Sequence, residues 1–123
     1  MCAKRLQELE VFQLADELRN EVHAITSRSA AREDVRFCSQ IRDAVSSITR
    51  NIAEGFGRYR HKEFANFATI ARGSAFEVAD HLRDGVARKH WSADEVRPHQ
   101  ELCDRTIGAL TRLIRYLKTH PDP

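Results

Sequence analysis

Apolar residues recur at intervals of three or four along most of the chain, and short polar segments separate four such stretches. This spacing places the apolar side chains on one face of a helix. It predicts four helices, over about residues 8–25, 34–57, 62–89 and 93–118. Ser92 and Glu95 form the signature of a capping box at the start of the fourth helix. No run of alternating β-branched residues is present, so the sequence predicts one all-α domain over residues 1–123.

The second and third predicted helices fit together as a hairpin that turns at about residues 59–61. When the chain is folded back there, each apolar position of one stripe lies opposite an apolar position of the other. The pairs are Ile52 with Phe67, Ile48 with Ala71, Ile41 with Val78, and Phe37 with Leu82. The same register sets Val45 against Ser74. It also sets Arg42 against Glu77, which predicts a salt bridge at the edge of the seam.

Polar and small residues lie beside the apolar stripes of these two helices, where a monomeric bundle would not need them. They are Arg42, Ser47, Asn51, Glu54, Gly55, Gly73, Ser74 and Glu77. Buried polar groups must be paired, either across helices or across subunits. The small pair Gly73 and Ser74 is expected to allow close approach of two backbones. We therefore predict that these residues serve folding and assembly rather than catalysis.

The same residues carry a resemblance to a known family. The run from Ala44 to Gly55, then Phe64 and Phe67, and the run from Ile70 to Glu77 resemble the 23S rRNA intervening-sequence protein family, often called simply four-helix-bundle proteins. One departure is Thr49, because the family commonly has proline at that position. We therefore expect no proline kink in the second helix.

The resemblance implies an up-down-up-down antiparallel bundle that assembles as a homopentamer. Family members are small bacterial proteins, and the resemblance implies no established enzymatic activity. It also implies a relation to the accessory protein of diversity-generating retroelements, which binds nucleic acid and a reverse transcriptase. Carried over residue by residue, it marks signature positions with a structural role: Asn51, Glu54, Gly55, Gly73, Ser74 and Glu77.

Charge is unevenly distributed, although the formal net charge of +2 is too small to indicate a nucleic-acid partner by itself. Acidic residues dominate between residues 6 and 34, and no acid occurs between Asp104 and Asp122. Two basic clusters are candidates for binding RNA or DNA. They are Arg58, Arg60 and Lys62 at the tip of the hairpin, and Arg105, Arg112, Arg115 and Lys118 on the fourth helix. Repetition in an oligomer would turn either cluster into a ring of positive charge, whereas a solvated basic face remains the alternative.

Catalytic and metal-binding patterns are weak. The chain has no Glu-x-x-His motif, which dinuclear metal sites of four-helix bundles require, and no recognisable nucleophile or phosphate loop. His99 and Cys103, one helical turn apart, would supply two zinc ligands at most. Cys2, Cys38 and Cys103 are predicted to be reduced thiols, the last two packed on apolar faces. We therefore predict a protein that is not an enzyme and needs no cofactor.

Two classes of function remain. The absence of a long apolar run and of a signal-peptide pattern predicts a cytoplasmic protein. In the first class, a homo-oligomer acts as a nucleic-acid-binding accessory factor, with RNA as the first candidate because of the resemblance. In the second, the oligomer is a protein-interaction scaffold whose partner contacts the acidic first helix. The two differ in salt dependence, because phosphate binding weakens steeply with ionic strength.

Overall fold

Four α-helices account for most of the computed structural model, which describes residues 3–123. They are α1 (Glu10–Arg28), α2 (Val35–Phe56), α3 (His61–Ala87) and α4 (Ala93–Thr119). Short 3₁₀ turns, Leu6–Glu8 and Ala30–Glu33, precede α1 and α2. All four predicted helices are present, and no strand occurs in the described residues. None of these helices is both long enough and apolar enough to cross a membrane.

The helix ends follow local side-chain chemistry. The Asp34 carboxylate accepts a hydrogen bond from the backbone N–H of Phe37 at 3.2 Å and caps α2. At the start of α4, Ser92 and Glu95 form both hydrogen bonds of the predicted capping box. The α3 helix ends in a Schellman turn, in which Lys89 has a φ of 65° and the His90 N–H donates to the Gly85 carbonyl at 2.8 Å.

The helix α1 extends further than the sequence pattern predicted, to Arg28 instead of about residue 25. The hydroxyls of Thr26 and Ser27 donate to the carbonyls of Val22 and His23, each at 2.7 Å. These hydrogen bonds hold two polar residues in helical conformation where a polar stretch had suggested a loop.

The four helices enclose one apolar core. The helix α1 packs against α2 and α4, and α3 packs against the same two helices. The largest fully buried apolar side chains come from all four helices: Leu18, Ile25, Ile41, Ile48, Ile52, Leu82 and Leu110. Every apolar residue named in the predicted α2–α3 pairing is buried except Phe67, which is half-buried.

The seam between α2 and α3 has the predicted register. Along α2, Phe37 contacts the ring of His81, the Ser47 hydroxyl lies 2.8 Å from that of Ser74, and Gly55 packs against Phe64. The partners move back along α3 as the chain advances along α2, so the two helices run in opposite directions.

The predicted salt bridge between Arg42 and Glu77 is wrong. The Arg42 guanidinium turns toward α1, where Nε donates to the Thr26 hydroxyl at 2.9 Å and Nη2 to the Ser27 hydroxyl at 3.0 Å. The Glu77 carboxylate lies 3.8 Å from the His81 ring on its own helix. The sequence pairing considered only α2 and α3, whereas a long side chain at the edge of that seam also reaches α1.

Between α2 and α3, close approach occurs at Gly55 and not at Gly73. A methyl group on Gly55 would lie 2.6 Å from Phe64 Cδ1 and 2.9 Å from Phe67 Cβ. A methyl group on Gly73 would meet no other atom within 4 Å. Within one chain, therefore, Gly55 tightens the hairpin and Gly73 faces open space.

Trp91, in the loop between α3 and α4, packs against α3. Its indole N–H donates to the Leu82 carbonyl at 3.0 Å, and its ring lies against Gly85 and Phe37. The indole therefore holds the α3–α4 loop against α3.

The two described cysteines are free and buried, as predicted for Cys38 and Cys103, whereas Cys2 lies outside the described residues. The Cys103 thiol donates to the Ala75 carbonyl at 3.3 Å, and burial raises its pKa to about 12. The Cys38 thiol donates to the Ala31 carbonyl at 3.1 Å. Both sulfurs act as packed core groups.

Replacement of Gly55 by Ala should lower the free energy of unfolding by about 1–3 kcal/mol, because the new methyl group overpacks the seam against Phe64 and Phe67. The matched control is Gly108→Ala on α4, where the nearest atom is the flexible end of Arg112 at 3.4 Å. That control should raise the free energy of unfolding by up to about 1 kcal/mol through helix propensity. Guanidinium unfolding curves measure both. Equal effects of the two substitutions would contradict close packing at Gly55.

Candidate nucleic-acid interface

One base from each of the two predicted basic clusters lies at the same end of the bundle. Lys62 in the first turn of α3 and Lys118 in the last turn of α4 line the same cavity of about 550 Å³. The segment after α4 crosses the start of α3, where the His61 backbone N–H donates to the Asp122 carboxylate at 2.7 Å. We call this surface the basic end and define it by Arg60, His61, Lys62, Lys118 and His120.

The basic side chains at and near this end differ in whether a carboxylate lies close enough to compensate their positive charge. Lys62, Arg115 and Lys118 are exposed and have no carboxylate within 4.0 Å in residues 3–123. Arg60 lies 4.0 Å from Asp122. The bases without a carboxylate are the best placed to neutralise phosphates.

Arg58 is engaged within the chain. Its guanidinium donates to Glu54 at 2.7 Å and to Glu63 at 3.4 Å, and lies 5.1 Å from the centre of the Phe67 ring. The hydrogen bond to Glu54 is the main reason that the pKa of Arg58 is raised. Arg58 therefore joins the end of α2 to the start of α3, and much of its charge is compensated.

The bases nearer the middle of α4 border the acidic face of α1. Arg105 lines a groove with Glu17 and Glu21, and Arg112 lines another with Glu10. Neither arginine has a carboxylate within 4.0 Å in the part of the chain that the structure describes. The first half of the predicted basic cluster on α4 therefore has carboxylates beside it. The part of the cluster without such carboxylates begins near Arg115.

Aromatic rings lie among these lysine and arginine side chains. Tyr116 and His120, four residues apart on α4, stack with ring centres 3.8 Å apart and planes at 18°. Tyr59 is 69% exposed, and its hydroxyl donates to the carbonyl of Pro123. Exposed rings beside cations can stack on unpaired bases. The sequence reasoning missed Tyr116, although its spacing of four from His120 was a usable signal.

The polar signature, meaning the polar and small residues predicted beside the apolar stripes of α2 and α3, is partly hydrogen-bonded or ion-paired inside the chain. The Asn51 side-chain amide donates to the Ser47 carbonyl at 2.8 Å and to the Ser47 hydroxyl at 3.1 Å, and that hydroxyl contacts Ser74. Glu54 pairs with Arg58. These groups are therefore paired across α2 and α3 or along α2, and a role for them in assembly stays a prediction.

Gly73 and Glu77 face outward. We define the α3 outer face by Ile70, Gly73, Phe76 and Glu77, which lie on consecutive turns. Ile70 is 52% exposed and Phe76 is 58% exposed, with the open position of Gly73 between them. An exposed aromatic ring and an exposed branched aliphatic side chain on one helix face form an apolar patch.

His99 and Cys103 do not converge, although they are one turn apart on α4. The Cys103 thiol faces α3, whereas His99 Nε2 lies 3.7 Å from the Glu21 carboxylate of α1. In residues 3–123, no three His, Cys, Asp or Glu side chains are placed to hold a metal ion. His99 is buried, and this burial is the main cause of its lowered pKa, with Glu21 acting in the opposite direction.

Comparison with known proteins identifies one family. A family model described as "23S rRNA-intervening sequence protein" matches residues 7–112. The matched range includes every signature position and the tip cluster, and it ends before Arg115 and Lys118. No curated protein matches the chain.

We expect acid to destabilise the chain through His99. Its pKa is below 6.5 in the folded state, so the unfolded chain binds the additional proton as the pH falls below about 6.5. The free energy of unfolding should therefore fall with decreasing pH in that range. The fall should be smaller in His99→Leu, which keeps all other histidines. Denaturant unfolding between about pH 5 and pH 8 tests this, and equal slopes in both proteins would contradict it.

Proposed function

This chain belongs to the 23S rRNA-intervening sequence protein family, and on that premise we propose that it is a non-enzymatic, homo-oligomeric accessory factor that binds RNA in the cytoplasm. The RNA surface is the basic end together with Arg112 and Arg115. The assembly is a homopentamer of up-down-up-down bundles, in which the α3 outer face contacts a second copy.

The observation that carries the RNA proposal is the convergence of Lys62 and Lys118 on one cavity. These residues are 56 positions apart in the sequence, and neither has a carboxylate within 4.0 Å in the described chain, although Asp122 lines the same cavity. Arg115 adds a further uncompensated base one turn before Lys118. Cations of this kind gain affinity by releasing the counterions of nucleic-acid phosphates. Symmetric repetition in an oligomer would multiply the number of contacts on one strand.

The α3 outer face supports assembly. Burial of Ile70 and Phe76 against another copy would remove the exposed apolar patch from water. Gly73 between them presents only backbone, so a neighbouring helix could approach closely there. The reversed direction of α2 and α3, and the packing of each helix against two others, support the up-down-up-down order.

The alternative function is a protein-interaction scaffold that binds no nucleic acid. Two observations favour it: Arg58 is compensated by Glu54 and Glu63, and the groove of Arg105 contains carboxylates. In that case the acidic face of α1 would meet a basic protein partner, such as the reverse transcriptase that the family resemblance suggests. The basic end would then only keep the assembly dissolved.

RNA binding should be salt-dependent and should require the basic end. The substitution Lys62→Ala/Lys118→Ala is expected to weaken binding of a labelled single-stranded RNA at least tenfold. It should also make the slope of log affinity against log salt less steep by about 1.4, at about 0.7 for each lost phosphate contact. Fluorescence anisotropy at several salt concentrations measures both quantities.

The matched control for this experiment is Arg83→Ala/Arg97→Ala, which removes two positive charges that are paired with Asp80 and Asp94. We expect less than a twofold effect from it. Equal loss in both double variants would show that net charge, and not this surface, determines binding. Absence of salt-dependent binding by the unmodified protein would favour the scaffold.

Assembly should depend on the α3 outer face. Light scattering of the unmodified protein should give about five times the chain mass of 14.1 kDa. The substitution Ile70→Lys/Phe76→Lys should reduce the mass to that of one chain, because it places two charges in the proposed contact. Val35→Lys, at an apolar residue that is 75% exposed on α2, is the control and should leave the mass unchanged. A monomeric unmodified protein would overturn the assembly proposal.

A further inference from the structure

A groove between α1 and α2 contains an arginine with unusual surroundings. The groove has a volume of about 690 Å³. Its polar lining consists of Ser27, Arg32, Ser39, Arg42, Asp43 and Ser46. None of these residues belongs to the basic end or to the α3 outer face. Arg42 was singled out by the sequence, and its predicted partner Glu77 is not the group that it meets.

The Arg42 guanidinium is half-buried and oriented by neutral groups. Nε donates to the Thr26 hydroxyl at 2.9 Å and Nη2 to the Ser27 hydroxyl at 3.0 Å. A guanidinium has five N–H donors, so three of them have no acceptor in residues 3–123. No carboxylate oxygen lies within 4.0 Å of it in the same residues. Hydroxyls fix its orientation but leave its charge uncompensated.

The positive field of Arg42 extends to neighbouring groups. The pKa of His23 is lowered, first by burial and then by the charges of Arg42 and Arg19. Burial raises the pKa of the Cys38 thiol, while Arg42 acts in the opposite direction. Both effects have the sign expected for a nearby cation. This part of the molecule is therefore favourable for a bound anion.

The other groove residues define which anion fits. Ser39 and Ser46 each add a hydroxyl, and Arg32 adds a second guanidinium, which is exposed and lies 3.4 Å from Glu33. Asp43 opposes an anion, and its carboxylate is exposed on the groove. The Nε–Nη2 edge of the guanidinium is engaged by the two hydroxyls, which leaves the Nη1–Nη2 edge free. One free planar edge with adjacent hydroxyl donors matches two oxygens of a phosphate group.

We propose that this groove binds a phosphate group, with the free N–H donors of Arg42 on two phosphate oxygens and the Ser39 and Ser46 hydroxyls as further donors. The phosphate belongs to a nucleotide, either free or in a nucleic-acid strand. Asp43 weakens binding of a bare phosphate and limits the affinity of the site. The proposal does not rest on RNA binding at the basic end, because its residues lie on other elements.

The test titrates the full chain with inorganic phosphate, with AMP and with a short oligouridylate. Isothermal titration calorimetry measures the affinities, and nitrogen–proton spectra of the Arg42 side chain and the Ser39 and Ser46 amides locate the bound probe. Arg42→Gln should lose at least tenfold in affinity. Arg50→Gln, at an exposed base of the same helix outside the groove, is the matched control and should change affinity less than twofold.

Two further variants keep the test decisive if Arg42→Gln loosens the contact between α1 and α2. Arg42→Lys keeps the charge but cannot bridge two oxygens, so it should bind several-fold more weakly than the unmodified protein. Asp43→Asn leaves the hydrogen bonds of Arg42 in place and should bind inorganic phosphate several-fold more tightly. An arginine that only joins two helices would produce neither change.

Each outcome has a defined meaning. Groove shifts with AMP but not with oligouridylate would assign the site to a free nucleotide, and shifts with the oligomer alone would assign it to a strand. Binding of oligouridylate that depends on Lys62 and Lys118 but not on Arg42 would leave the proposed function standing and overturn the groove. Absence of groove shifts with all three probes would overturn it as well.

Discussion

The close packing of α2 against α3 is the constraint on which the rest of the structure depends. Gly55 brings the α2 backbone against Phe64 and Phe67, which leaves no room for a side chain at that position. Two turns earlier, Ser47 and Ser74 face each other at 2.8 Å, where larger side chains would separate the helices. This contact sets the register of the hairpin, and α1 and α4 complete the core around it.

The functional surfaces follow from that arrangement. The helices α3 and α4 pack against each other with the start of α3 beside the end of α4, so Lys62 and Lys118 share a cavity. Arg42 lies at the edge of this seam, and its guanidinium donates to the hydroxyls of α1. The basic end and the Arg42 groove thus both result from packing between helices.

Sequence reasoning predicted the features that depend on short-range pattern. Helical periodicity located all four helices, and the capping box at Ser92 was identified from two residues. It was wrong about the salt bridge of Arg42, because the guanidinium reaches α1, which lies outside the two segments that the pattern compared. It was also wrong about Gly73, which faces open space and not α2. The nearness of Lys62 to Lys118 does not follow from spacing within either helix, because it depends on how α3 packs against α4.

Polar and small residues beside an apolar helical stripe can serve either folding of one chain or contact between chains. The polar signature illustrates why the sequence alone does not distinguish these two roles. Ser47, Asn51 and Ser74 form a connected set of hydrogen bonds inside the chain, so a partner subunit is not needed to satisfy them. Gly73 has the same sequence context but contacts nothing in its own chain. A residue whose small size has no explanation inside the chain is the better indicator of an external contact. Within the signature, we therefore propose that assembly uses the α3 outer face. Ser47, Asn51 and Ser74 join α2 to α3 inside the chain, and a further role for them in assembly stays a prediction.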